Sequence, residues 1–493
     1  MRRGSKVVGL GTNTGIGPLR TMVLGLSLML PLGGCLLTDK PEPGLDIPQA
    51  YRYGPHDPVQ AEAAMPPLDW WRLFRSAELT DLIEQARASN LDIAVAIAQI
   101  VQADAQSRVA GSALLPTVDL NGSATRSRAS QSTGGSSAIG GGSEQNSLSA
   151  SLTASYEIDF WGKNRSALRA AEETAVASRY NREVVGLTTV VSVANTYFQV
   201  LAAQDRLRIA RENVASAQRI LNLIKQQFSA GTASDLNVAQ QESLVNNLRA
   251  AIPQLVITLE QNQAALALLV ARPLERVIVR GGSMRGVAIP RVTPGLPSEL
   301  ITQRPDVREA EAQLASANAN VENARAQMLP SITLTGEGGY QSAILRTLLR
   351  PESAFYTGTA GLTQPIFDGL RLQGNLDLQK GLQDQLLQSY RKSVISAFTD
   401  VDKALVAVRQ TALAERLEAD VVSSSRRAFD LSEQQLRAGT INLVTLLQTQ
   451  QTLFQAEDAV AQARLARLQA VVSLYQALGG GWLPKPVESA DAR

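Results

Sequence analysis

Apolar and polar residues alternate without interruption through Ser147–Phe160. Leu148, Ala150, Leu152, Ala154, Tyr156, Ile158 and Phe160 fall on even positions, with Ser, Thr, Glu or Asp on every odd one. A period of two describes a strand with one apolar and one polar face. Val118, Leu120, Gly122 and Ala124 keep the same beat in a preceding partner, and Gln131–Asn146 between them reads as a Gly/Ser-rich exposed loop. Ile332–Tyr340 and Tyr356–Ile366 alternate as well, so four strands are predicted, over about 116–129, 147–160, 330–342 and 355–367.

A second rhythm fills most of the remaining chain. Leu207, Ala210, Val214, Ala217, Leu221, Ile224 and Phe228 follow a three-four spacing, as do Val394, Phe398, Val401, Leu405, Val408 and Ala412. This is the narrow seam of a coiled coil. No proline interrupts Gly162–Phe228, and a helix of that length extends on the order of 100 Å at 1.5 Å per residue. Each long helix ends at a similar turn, Gln226-Gln227-Phe228-Ser229-Ala230-Gly231-Thr232 and Gln434-Gln435-Leu436-Arg437-Ala438-Gly439-Thr440, offset by 208 residues. Gly231 and Gly439 suit a left-handed position after a helix, and Ser234 and Asn442 suit the caps of returning helices. Leu115-Pro116 matches Leu329-Pro330, and Phe160-Trp161-Gly162 matches Phe367-Asp368-Gly369, so the chain is internally duplicated.

The expected organisation follows from these patterns. Residues 1–34 form a leader and 35–76 a Pro-rich tether. The first repeat occupies 77–271 and a joint 272–297. The second repeat occupies 298–478, followed by a tail over 479–493. Each repeat carries a helix, two strands, a long helix, a tip (about 230–234 or 438–442) and a return helix, which Pro253 should bend in the first repeat.

Charge and composition remove several function classes. The leader holds Arg2, Arg3, Lys6 and Arg20 and no acid, leaving 43 basic and 45 acidic residues, a net of −2. No basic stripe for nucleic acid appears. One cysteine and one histidine exclude an internal disulfide and a Cys/His metal cluster. His56 lies in Gly54-Pro55-His56-Asp57-Pro58, a poor setting for a catalytic base, so no catalytic residues, metal ligands or cofactor are assigned. The six methionines are scattered, which gives a metal cargo no support. The apolar run Met22–Leu32 is too short to span a membrane but suits a signal-peptide core.

Four strands cannot close a barrel, and an open sheet edge cannot face lipid, because its unpaired backbone groups cost several kcal/mol each. Closure must come from several chains. Two would give eight strands and a filled interior, and three would give twelve and a lumen. Serine-rich polar positions beside a membrane tether favour a membrane sheet over a half-buried soluble one.

Leu32-Gly33-Gly34-Cys35 resembles the bacterial lipobox, in which the cysteine is lipidated. Together with Asp69-Trp70-Trp71, Leu115-Pro116, Tyr156–Gly162, Arg304-Pro305-Asp306-Val307-Arg308, Leu329-Pro330 and both Ala-Gly-Thr tips, it makes the chain resemble the TolC-like outer-membrane factors of tripartite efflux pumps, in their lipid-anchored nodulation-type (NodT) branch. The resemblance spans essentially all of the mature chain. It implies a mostly α chain with membrane β: a homotrimer with a twelve-stranded outer-membrane barrel and a long periplasmic helical barrel. It also implies a periplasmic adaptor, an inner-membrane transporter of RND type, contact with outer-membrane lipid and a covalent lipid on Cys35.

The resemblance further implies that the tips (Ala230, Gly231, Thr232, Ala438, Gly439, Thr440) meet the adaptor. A periplasmic aperture would lie just after the second tip. Its apolar member matches Val444, while the acid and base of the family pattern match Gln448 and Gln451, and further acids match Thr445 and Asn237. With those charges absent, closure is expected to rest on Val444 and amide hydrogen bonds, with little dependence on pH or salt. The competing expectation is a structural periplasmic coiled-coil lipoprotein without a pore.

Overall fold

The computed structural model describes residues 44, 51–52, 67–128, 144–292, 304–480 and 482. The leader, Cys35 and His56 lie outside these residues. Seven helices are described: α1 Ala77–Ser89, α2 Leu91–Ser112, α3 Lys163–Ser229, α4 Asp235–Leu269, α5 Pro305–Ala326, α6 Arg371–Arg437 and α7 Leu443–Ala477. Four strands accompany them: β1 Thr117–Arg128, β2 Glu144–Ile158, β3 Ser331–Ser342 and β4 Ala354–Thr363. The chain divides into two units. One contains the strands with 111–167 and 318–380, and the other contains 43–110, 168–317 and 381–493.

In the strand unit the four strands form one antiparallel sheet in the order β1-β2-β3-β4. Register keeps the two faces chemically pure. Val118, Ala154, Gly336 and Gly358 lie in one row, and Leu120, Leu152, Gly338 and Tyr356 in the next. The apolar face is bare, with Leu120 77%, Leu362 71% and Tyr356 91% exposed. On the other face Ser123 and Ser149 share a 2.8 Å hydrogen bond, and the Ser151 hydroxyl donates to Glu337 at 2.7 Å. Both edges, β1 and β4, lack a partner strand among the described residues.

Strand ends shift slightly from the expected positions, for local reasons. β2 starts at Glu144, inside the expected loop, where Arg126 pairs with Glu144 across the ladder. It ends at Ile158 because Asp159 turns to accept hydrogen bonds from the Asn164 and Arg165 amides (both 2.9 Å), capping α3. β4 stops at Thr363, just before Gln364 and Pro365, which has no amide to donate.

In the helical unit, the apolar middle of α3 is long and apolar enough to cross a membrane by composition. It is instead packed, with Val193, Ala194, Phe198, Val200 and Leu201 fully buried. Trp70 stacks on Tyr475 of α7 at 4.7 Å, and Phe74 lies 5.2 Å from Phe198. The expected tether therefore ends too late: Trp70–Phe74 is a 3-10 turn whose aromatic rings are buried in this core. The joint 272–297 is also more than a connection, because Val277, Val279, Met284 and Val287 are buried in the same core. Glu78 holds it by accepting the Arg280 and Gly281 amides at 2.7 and 3.0 Å. Gly281 lets the two side chains close in, since a Cβ would stand 2.7 Å from the Tyr197 hydroxyl and 2.8 Å from Glu78 and would push them back.

The duplication extends to single hydrogen bonds. Asn90, before α2, donates to the Leu269 carbonyl at the end of α4 (2.9 Å). Arg304, before α5, donates to the Ala477 carbonyl at the end of α7 (3.1 Å). The same joint is made by an amide in one repeat and a guanidinium in the other. α4 runs through Pro253 to Leu269, where Arg272 donates back to Ala267 and Ala271 adopts a left-handed φ of 51°.

Candidate functional site

The two tips are built alike. In the first, Gly231 (φ 76°) donates to Phe228 and Thr232 to Gln227; in the second, Gly439 (φ 74°) donates to Leu436 and Thr440 to Gln435. This pair of bonds closes a helix that ends in a left-handed glycine. The threonine of each tip adds its hydroxyl to the same carbonyl, at 2.9 Å for Thr232 and 3.1 Å for Thr440. Each returning helix is capped at once, by Ser234 accepting from the Asn237 amide and Asn442 from the Thr445 amide. Ala230, Gly231, Thr232, Ala438, Gly439 and Thr440 are all exposed, so two rigid, similar turns face outward.

The five residues expected at the aperture do not form one cluster in a single chain. Val444 is 58% exposed and, with Gln451, lines an open groove of about 1040 Å³ together with Leu236, Leu244, Leu447 and Phe454. Thr445 is exposed, and its hydroxyl also donates to Asn442 at 2.9 Å. Gln448 is exposed, and Asn237 is half-buried beside its cap.

The amides that meet between the hairpins are different ones. Gln241 and Gln450 have no exposed surface, and Gln241 donates to the Ala217 carbonyl at 3.0 Å and reaches Gln450 at 3.5 Å. They sit in an apolar cluster of Ile220, Leu221, Ile224, Val245, Leu446 and Leu453, which α3, α4 and α7 all enter. Inside it, Gln241 Oε1 and Gln450 Nε2 have no partner among the described residues. An unsatisfied buried polar atom costs about 1–3 kcal/mol, so this contact is weaker than its burial suggests.

Charge ties the long helices together farther from the tips, between the hairpins in one case and within the second hairpin in two. Arg206 of α3 holds both carboxylate oxygens of Asp458 on α7, at 2.6 and 3.0 Å. Arg426 of α6 pairs with Glu457, whose carboxyl is pushed up by burial and by nearby Glu212 despite that arginine. Glu415 takes Arg464 at 2.8 Å and Arg467 at 2.7 Å, and Arg464 extends to the Met284 carbonyl at 3.0 Å. Burial raises the Glu415 carboxyl, but the two arginines outweigh it and its pKa lies below the usual value. A lowered carboxylate pKa stabilises the fold above the unfolded pKa, and the gain is lost as pH falls through the folded one. Thermal stability is therefore expected to fall with acidification below about pH 4. Glu415→Gln should flatten that limb; identical pH profiles for the two proteins would remove the triad from the account.

Sequence periodicity missed these polar contacts. Arg206 and Asp458 are far apart in the chain, and nothing local pairs them. The only available signal was a charged or amide residue set inside an apolar seam, as at Gln241 and Gln450.

The sequence model of a family described as "Outer membrane efflux protein" matches residues 82–272 and 296–480. The chain is 40% identical over 460 residues to the pyoverdine export outer membrane protein OpmQ of Pseudomonas putida, covering 93% of this chain and 97% of that protein. It is 33% identical over 478 residues to the toluene efflux pump outer membrane protein TtgF of Pseudomonas putida, covering 94% and 98%. Among solved structures, the Campylobacter jejuni CmeC outer membrane channel superposes with a TM-score of 0.83 at 25% identity, covering 91% of this chain and 95% of that one.

Proposed function

The chain belongs to the outer membrane efflux protein family, and on that premise we propose that three copies form the exit duct of a tripartite efflux assembly. The observation that carries the reading is the sheet: among the described residues it has four strands, a bare apolar face and two unpaired edges. Such a sheet is stable in lipid only when its edges are paired by further strands. Three chains supply twelve strands and leave an open lumen. A spacer without a pore has no use for an apolar face that leaves Tyr356 91% exposed.

The exposed tips support the periplasmic partners that the family implies. The exposed Ala-Gly-Thr turns, twice per chain, would give six similar contacts per trimer to an adaptor, which in turn engages an inner-membrane transporter of RND type. Lipidation at Cys35 would add an anchor beside the barrel. The cargo class is organic: the relatives' names refer to pyoverdine and toluene, and organic toxins or antibiotics suit such a duct.

Val444 is the proposed constriction where the six hairpins converge. The test is conductance of the purified full-length protein in planar bilayers. Wild type should give small, rarely open channels whose closed state changes little with salt or with pH near neutrality. Val444→Asp should raise the open current several-fold by hydrating an apolar ring. Absence of any conductance would end the duct reading, and an unchanged current in the variant would remove Val444 from the constriction.

A further inference from the structure

All four strands join helical segments at one end of the sheet, so the β3–β4 connection lies at the other end, where β1 finishes at Arg128 and β2 begins at Glu144. Given the outer-membrane reading above, on which this inference rests, that end faces the cell exterior. The connection repeats one dipeptide, Leu345-Arg346 and Leu349-Arg350, at a four-residue interval. The strand periodicity did not touch it.

The turn is rigid. Thr347 donates to Ile344, Leu348 to Leu345, Arg350 to Thr347 and Ser353 to Arg350, all between 3.0 and 3.2 Å. Ser342 and Thr347 share a 2.7 Å hydroxyl bond, and the Ser353 hydroxyl closes on the Thr347 carbonyl at 2.8 Å. What this scaffold presents is unusual for a loop in water: Leu345 is 72% and Leu349 76% exposed. Among the described residues neither the Arg346 nor the Arg350 guanidinium has an ion pair or side-chain hydrogen bond. Residues 125–128, 144–146 and 341–354 hold four arginines against two glutamates, and one glutamate, Glu144, is already paired with Arg126.

We propose that this turn docks the phosphorylated glycolipid of the outer leaflet, with Leu345 and Leu349 entering the acyl layer and Arg346 and Arg350 taking the lipid A phosphates. Leucine beside arginine fits a surface that is apolar within and anionic at its head group. The planar guanidinium suits a phosphate, which it can bind through two parallel hydrogen bonds. A pre-formed turn loses little freedom on binding. Three copies would place six such arginines around the rim and hold the barrel at a fixed depth.

The experiment titrates the full-length protein in detergent with lipopolysaccharide, either phosphorylated or enzymatically dephosphorylated, and reads bound glycolipid by native mass spectrometry. Arg346→Gln with Arg350→Gln should weaken binding of the phosphorylated form on the order of tenfold and leave the dephosphorylated form unchanged. Leu345→Ser with Leu349→Ser should weaken both. Heat-modifiable migration on gels reports assembly, and Arg346→Lys with Arg350→Lys supplies a charge-conserving control should the glutamine pair misassemble. Equal affinity of the glutamine variant and wild type would overturn the proposal. So would altered conductance with binding unchanged, which would place the turn over the lumen. Loss of the duct reading would appear separately, as absence of conductance in wild type.

Discussion

Gly339→Ala is expected to abolish assembly of the outer-membrane oligomer. A Cβ at this position would stand 2.3 Å from the Ala150 carbonyl oxygen and 2.6 Å from the Ser151 Cα, both backbone atoms that no side-chain rotation can move. Relief would require β2 and β3 to separate where Gly339 faces Ser151. That ladder joins the strands of the first repeat to those of the second, running from Leu148–Ser342 to Ile158–Ile332. Backbone groups freed in lipid cost several kcal/mol each, more than a folded chain has in reserve. Gly336 and Gly358 provide the control, because a Cβ on either meets nothing within 4 Å. Gly336→Ala should assemble normally while Gly339→Ala yields no heat-modifiable band. Wild-type amounts of the Gly339 variant would show that the sheet can open locally.

Arg304→Ala should cost about 3 kcal/mol, the low end for removing one partner of a buried ion pair. The Arg304 side chain is only 11% exposed and grips Asp306 with two bonds, at 3.0 and 2.6 Å. Its remaining nitrogen serves the Ala477 carbonyl at 3.1 Å and reaches Asp400 at 3.5 Å. Removal leaves the Asp306 and Asp400 carboxylates without their shared guanidinium and the last carbonyl of α7 without this donor. Burial alone would lower the Arg304 pKa, but Asp306 and Asp400 outweigh it and hold the charge firmly. The partners are about a third exposed, which keeps the estimate at the low end. Arg304→Lys should recover part of the loss, since an ammonium keeps the charge without the fork. Thermal unfolding in detergent measures both. A melting temperature unchanged by Arg304→Ala would mean that the Arg304-Pro305-Asp306 motif serves something other than this joint.

Much of the fold was legible because its signals are local. Alternation along β2 and the glycine after each long helix depend on neighbours a few residues apart, and both duplicated tips adopt the same hydrogen-bonded turn. The joint over 272–297 was harder to read. Its glycines and prolines mark a loop, and its buried valines become core only through contact with α3 and α7. Aperture positions carried over by resemblance fixed where the chain turns, not which face of α7 packs. One residue along a helix rotates a side chain by about 100°. Gln450 is therefore buried against Gln241 while Gln448 and Gln451, on either side of it, are exposed. The Leu-Arg turn left no periodic trace at all, because its meaning lies in exposure.

The four strands described in one polypeptide cannot close a wall alone, and counting chains tests this most directly. Native mass spectrometry of the detergent-solubilised protein should give particles of three chains, with neither single chains nor pairs. A single chain that remained folded and soluble in plain buffer would contradict the account.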